Sequence, residues 1–126
     1  MIANLNTLIP LLGTEYCPDF TNKILLLEEM DAPFSREERS FTTLKLHGVF
    51  SKIQALIVGK PEKLNTEGSP LSYDELLVET IGPCTFPIIS NFDCGHTSPM
   101  ISFLQTEQLF LVAEQGTISI QEKFPE

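Results

Sequence analysis

Residues 91–99, Asn-Phe-Asp-Cys-Gly-His-Thr-Ser-Pro, bring an acid, a thiol, an imidazole and two hydroxyls within nine positions. Imidazole is the side chain that most readily exchanges a proton near neutral pH, so His96 is a candidate general base. A second chemical pair, Glu28-Glu29, closes the apolar run Ile24–Leu27. A carboxylate that accepts a hydrogen bond from an imidazole fixes its tautomer and stabilises its charged form. That is the base half of a nucleophilic triad.

Plainer roles weigh against each of these. A lone histidine in a polar loop is more often structural or solvated, and two glutamates are more often a charged strand end. His47 falls at a helix C-terminus, where positive charge is favourable in itself. Cys94 stands beside His96 as a nucleophile would. Neighbours in an extended loop seldom face one another, however, and a free cysteine usually behaves as a small buried hydrophobe. One histidine and scattered carboxylates lack metal-ligand spacing. Gly59-Lys60-Pro61 lacks the glycine-rich lead-in of a phosphate loop. No serine sits in a G-x-S-x-G elbow, so the nucleophile is the missing piece.

Some element must hold these groups. The chain of 126 residues has the size of one domain, with 42% hydrophobic and 20% charged residues. A net charge of −9 argues against nucleic acid or an anionic membrane surface as partner. Three cysteines without paired spacing fit a reducing compartment, and no apolar run is long enough for a membrane span. A cytoplasmic protein is the expectation.

Asn4 is placed to cap a helix through about Leu12, stopped at Gly13 and disturbed by Pro10. Residues 24–29 and Ala55–Val58 have the continuous apolar character of strands covered on both faces. Ser35 with Glu38, and Ser72 with Glu75, have the spacing of capping boxes. They predict helices over about Arg36–His47, with Phe41, Leu44 and Leu46 as its apolar stripe, and up to Gly82, with Leu76, Leu77 and Ile81 facing inward. Residues 59–70 are turn-rich and the expected place for mobility. Pro87–Ser90 is a third buried strand. Leu109–Ala113 and Thr117–Gln121 predict an antiparallel hairpin. The order implies an α/β domain with a small parallel sheet plus an antiparallel hairpin portion. Ligands gather at the carboxyl ends of parallel strands, so the loops after the first and third strands open onto one edge.

Several segments resemble a known family. ANLNTLIPLLGT resembles the G-G-N-L-x-T-L…L-G-T segment of the LD-carboxypeptidases and the related microcin C immunity proteins (MccF). ILLLEE, EERSFTTLKLHGVFSKIQALIVGK and NFDCGHTSPMI are similar to further family segments, in family order. ERSF…LK…GVF and the F-D-C…H-T-x-P-M-I pattern bring the chain closer to the immunity branch.

The resemblance implies a serine peptidase with a Ser-His-Glu triad split over two domains. A flavodoxin-like N-terminal domain carries the serine and the oxyanion donors. A C-terminal domain of the swivelling β/β/α type carries the Glu and the His, which match Glu28 and His96. Glu29 falls where the family commonly has Asp. No metal or organic cofactor is implied. The implied substrates are peptidyl- or aminoacyl-nucleotide antibiotics, or L,D-linked murein peptides, and the family often forms homodimers.

The chain departs from the family at Met1-Ile2-Ala3, where family members lead into Gly-Gly, and the segment MDAPFSREER lacks the lysine that some immunity-type members have there. Residues 1–126 thus resemble a single C-terminal domain without its N-terminal nucleophile domain, either cut from a longer protein or a natural fragment. Alone it is expected to be inactive, with apolar surface exposed around Phe20, Phe34 and Met100. The alternative is a non-catalytic binding or assembly module that pairs with a separate N-terminal half.

Overall fold

The computed structural model describes residues 1–102, 109–114 and 117–122. Four strands form one parallel sheet in sequential order: β1 (Ile2–Asn4), β2 (Ile24–Glu28), β3 (Ala55–Gly59) and β4 (Ile88–Phe92). Between them lie α1 (Leu5–Leu8) with a 3₁₀ turn at Ile9–Leu11, α2 (Phe34–Leu46) and α3 (Tyr73–Ile81). A separate antiparallel pair, β5 (Leu109–Glu114) and β6 (Thr117–Glu122), forms the expected hairpin. The α/β class and the parallel sheet are as the sequence predicts. Among the described residues, no helix is long and apolar enough to cross a membrane.

The apolar runs of β2 and β3 are explained by what covers them. Leu25, Leu27, Leu56 and Val58 point into the main core with Phe41 and Leu44 of α2 and Leu76, Leu77 and Ile81 of α3. On the opposite face Leu26 and Ile57 pack with Cys94. Residues that alternate between two covered faces must all be apolar.

Four expectations need correction. The first is the N-terminus: Ile2–Asn4 is a strand, in register with Leu26–Glu28 of β2. Asn4 does cap a helix, but α1 lasts only four residues, because Pro10 cannot continue an α-helical ladder and the chain tightens into a 3₁₀ turn. The second is the start of α2. Its N-cap is Pro33, not Ser35, and it has no side-chain cap. The Ser35 N–H instead donates to Glu67 Oε2 at 2.6 Å, so an acceptor from the 59–70 loop does the work of a cap. That loop is tied down alongside residues 30–33 by Asp31 N–H to Glu62 O and Phe34 N–H to Asn65 O, each 2.9 Å.

The third concerns the inner stripe of α2, which is Phe34, Glu37, Phe41 and Leu44; Leu46 is 81% exposed. A buried glutamate in the stripe hides its periodicity. The fourth is surface composition. Phe20 and Phe34 are core residues, Phe34 against Tyr73 with ring centroids 6.4 Å apart. Met100 is exposed as expected. By contrast, α3 follows its sequence closely. Ser72 and Glu75 complete a reciprocal capping box, and Gly82 ends the helix with a positive φ of 74°.

Candidate active site

The carboxyl edge of the sheet carries the site. Glu28 ends β2, and a loop after β4 returns His96 over it. β4 reaches this position through a register shift against β3 between Ile57 and Gly59, with Asn91 at φ 54°. Such an irregularity bends a strand and re-aims the residues beyond the bend. The loop is then closed by Ile101 N–H to Asp93 O at 2.8 Å, and Lys60 at the end of β3 ion-pairs with Asp93.

His96 Nδ1 lies 2.7 Å from Glu28 Oε2, across 68 positions of sequence. The Glu28 side chain is 12% exposed, whereas the imidazole is 48% exposed. Glu28 is therefore held from below, and the ring has one nitrogen committed to it. Nε2 makes no hydrogen bond among the described residues and, on a half-exposed ring, is open to solvent.

Two glycines make this approach possible. A Cβ on Gly95 would stand 2.8 Å from both Glu28 Cβ and Glu28 Oε2, and its φ of +107° is one that side-chain-bearing residues rarely adopt. A Cβ on Gly59 would lie 2.4 Å from the Cys94 carbonyl oxygen, which passes directly over β3. Neither glycine is singled out by spacing. The signal lay in their places, Gly59 as the last residue of an apolar strand and Gly95 directly before the histidine.

Asn4, treated in the sequence only as a helix cap, also reaches the site. Its Nδ2 donates to Glu28 Oε1 at 3.0 Å. Glu29 serves a different purpose from Glu28. Its carboxylate is buried and accepts from the backbone N–H of Asn6 at 2.8 Å and of Met30 at 2.9 Å. Arg36 stands 3.8 Å away and donates to the carbonyls of Met30 and Asp31. Glu29 thus stitches the start of α1 to the end of β2, and its oxygens are occupied.

The other candidates separate cleanly. Cys94 is buried with Leu26 and Ile57, and burial, reinforced by the charge of Glu28, pushes its thiol above the ordinary cysteine range. Such a thiol holds its proton and is a poor nucleophile. Ser98 is exposed in the same loop as His96. His47 caps the C-terminus of α2, far in sequence from the edge and exposed. Lys60 is bound to Asp93, which accounts for it without a phosphate.

The carboxyl edge of the sheet thus presents an imidazole hydrogen-bonded to a carboxylate. Residues 2–109 match the family model for the LD-carboxypeptidase C-terminal domain. The chain belongs to that family. It is 36% identical over 123 residues to the Microcin C7 self-immunity protein MccF of Escherichia coli, covering 97% of this chain and 36% of that protein. The structure of MccF in complex with glutamyl sulfamoyl guanosine superposes with a TM-score of 0.74 and 38% identity, over 80% of this chain and 30% of that one. The crystal structure of a muramoyltetrapeptide carboxypeptidase from Oxalobacter formigenes gives a TM-score of 0.86 at 22% identity, over 99% and 44%, and so speaks for the fold. The chain spans about a third of the length of the curated relative MccF.

Proposed function

We propose that this chain is the C-terminal catalytic domain of a serine carboxypeptidase-type hydrolase. In this reading His96 is the general base and Glu28 orients it. The observation that carries the reading is the 2.7 Å contact between His96 Nδ1 and Glu28 Oε2 at the carboxyl edge. With Nδ1 bonded to a carboxylate, Nε2 is the nitrogen able to take a proton from an attacking hydroxyl and return it to the leaving amine. Glu28 stabilises the imidazolium formed between those two transfers.

The nucleophilic serine and the oxyanion donors belong to an N-terminal domain outside this chain. Residues 1–126 form one domain that supplies two of three catalytic groups. The substrates proposed are an aminoacyl- or peptidyl-nucleotide, or a murein peptide. Support comes from the solved MccF complexes with glutamyl sulfamoyl guanosine and aspartyl sulfamoyl adenosine, and from two putative carboxypeptidases, of Vibrio cholerae and Bacillus subtilis, that are 35% and 33% identical to this chain.

The 126-residue chain alone should therefore show no turnover above background of either an aminoacyl sulfamoyl adenosine or an L,D-linked tetrapeptide. Both the covalent step and the oxyanion stabilisation are missing from it. Turnover by the purified chain, abolished by His96→Ala, would place a nucleophile inside these residues and overturn the reading. Cys94 and Ser98 would then be the first to test.

A further inference from the structure

Asn4 makes more bonds than a helix cap requires. Its Oδ1 accepts from both the backbone N–H and the Oγ1 of Thr7, each at 3.0 Å. Its Nδ2 donates to Glu28 Oε1 at 3.0 Å and stands 3.4 Å from Glu29 Oε1. An amide has one accepting oxygen and two donating hydrogens, so every hydrogen-bonding capacity of this side chain is used. The network also settles which way round the amide lies. Turned over, it would set its oxygen against two carboxylates and its NH₂ against the Thr7 N–H.

This arrangement follows from register. Asn4 is the last residue of β1 and pairs with Glu28, the last residue of β2, so the two side chains leave neighbouring strands at the same level. Ser, Thr or Asp would cap α1 as well as Asn does. None of them both accepts from Thr7 in this geometry and presents an NH₂ to a carboxylate. The residue type answers to Glu28 as much as to the helix.

We propose that Asn4 is a positioning residue for the Glu28–His96 pair. By holding Oε1 it fixes the Glu28 carboxylate in the rotamer that turns Oε2 to His96 Nδ1. Gly95 has no Cβ to meet Glu28 Oε2 and so leaves the carboxylate room, and Asn4 supplies the restraint. This inference rests on the reading of Glu28 and His96 as the base half of a triad. It adds a residue that acts through Glu28 and does not touch the reacting atoms.

The test is the proton on His96 Nδ1, followed by NMR on the ¹⁵N-labelled chain and assigned in a His47→Ala background. A ring N–H donating to a carboxylate resonates downfield of the backbone amides and exchanges slowly with water. Asn4→Ser and Asn4→Thr both keep an oxygen for Thr7 N–H and lose the amide donor to Glu28. Each should exchange this proton roughly tenfold faster, the scale of losing one hydrogen bond that holds the acceptor, with the thermal midpoint nearly unchanged. A role confined to capping would leave the resonance unmoved in both variants. Exchange within twofold of the parent chain in both would overturn the inference. Glu28→Ala separates the two levels: it must abolish the slow resonance if the pair exists. A resonance that survives Glu28→Ala, or is absent from the parent chain, sinks the pair and Asn4's role together. Loss in Glu28→Ala with no change in Asn4→Ser or Asn4→Thr removes Asn4 alone.

Discussion

A methyl group added at Gly95 has nowhere to go, since Glu28 already occupies the space 2.8 Å away and the backbone there is left-handed. Gly95→Ala should cost roughly 2–3 kcal/mol, combining backbone strain with displacement of the carboxylate. Urea denaturation will measure it, and the Glu28–His96 contact should open in the variant. Glu37 poses a different problem at the same scale. It is fully buried between α2 and α3, Tyr73 Oη donates to its Oε2 at 2.9 Å, and Oε1 has no partner among the described residues. Burial raises its pKa from 4.5 to about 7; the nearby Glu29 adds to the rise, while the Tyr73 hydrogen bond and Arg36 oppose it. The folded state thus holds a proton that the unfolded chain releases above about pH 4.5. Stability linked to Glu37 is fully present below pH 4.5 and is lost as pH rises through about 7. Glu37→Gln, which cannot ionise, should be near neutral at pH 4.5 and stabilising by up to about 3 kcal/mol at pH 8. Parallel denaturation curves at the two pH values check this. His96 could be picked out of the sequence because the chain has only two histidines, and Glu28 by its place at the end of an apolar run and by the family likeness. Asn4, Gly95 and Gly59 could not, because what they do depends on contacts made across strands.

Helix starts show what local sequence does and does not encode. Ser72-x-x-Glu75 and Ser35-x-x-Glu38 have the same spacing, yet only the first caps a helix. The second is pre-empted by Pro33 immediately upstream, whose fixed φ and carbonyl begin α2 two residues earlier. The Arg36 and Glu37 N–H groups both bond to Pro33 O. Ser72→Ala should therefore cost about 1 kcal/mol, whereas Ser35→Ala should change stability by less than about 0.5 kcal/mol. Equal losses in thermal or urea melts would contradict this assignment. The buried strands β2 and β3 were legible because continuous apolar runs admit few alternatives. β1 was not: three residues carry too little pattern, and its pairing with β2 is a long-range property.

At the scale of the molecule, a sequential four-strand sheet places the end of β2 and the loop after β4 on one edge, where Glu28 and His96 meet. The sequence order of strands and helices conveyed this architecture, and the family likeness conveyed the pairing of Glu28 with His96. The central proposal is that His96, oriented by Glu28, serves a serine on another domain. It is tested most directly by grafting this chain in place of the C-terminal third of MccF and measuring kcat/KM for an aminoacyl sulfamoyl adenosine. The account predicts turnover in the chimera that falls roughly a thousandfold or more on either His96→Ala or Glu28→Gln, with the fold retained. A chimera whose turnover survives His96→Ala would contradict it.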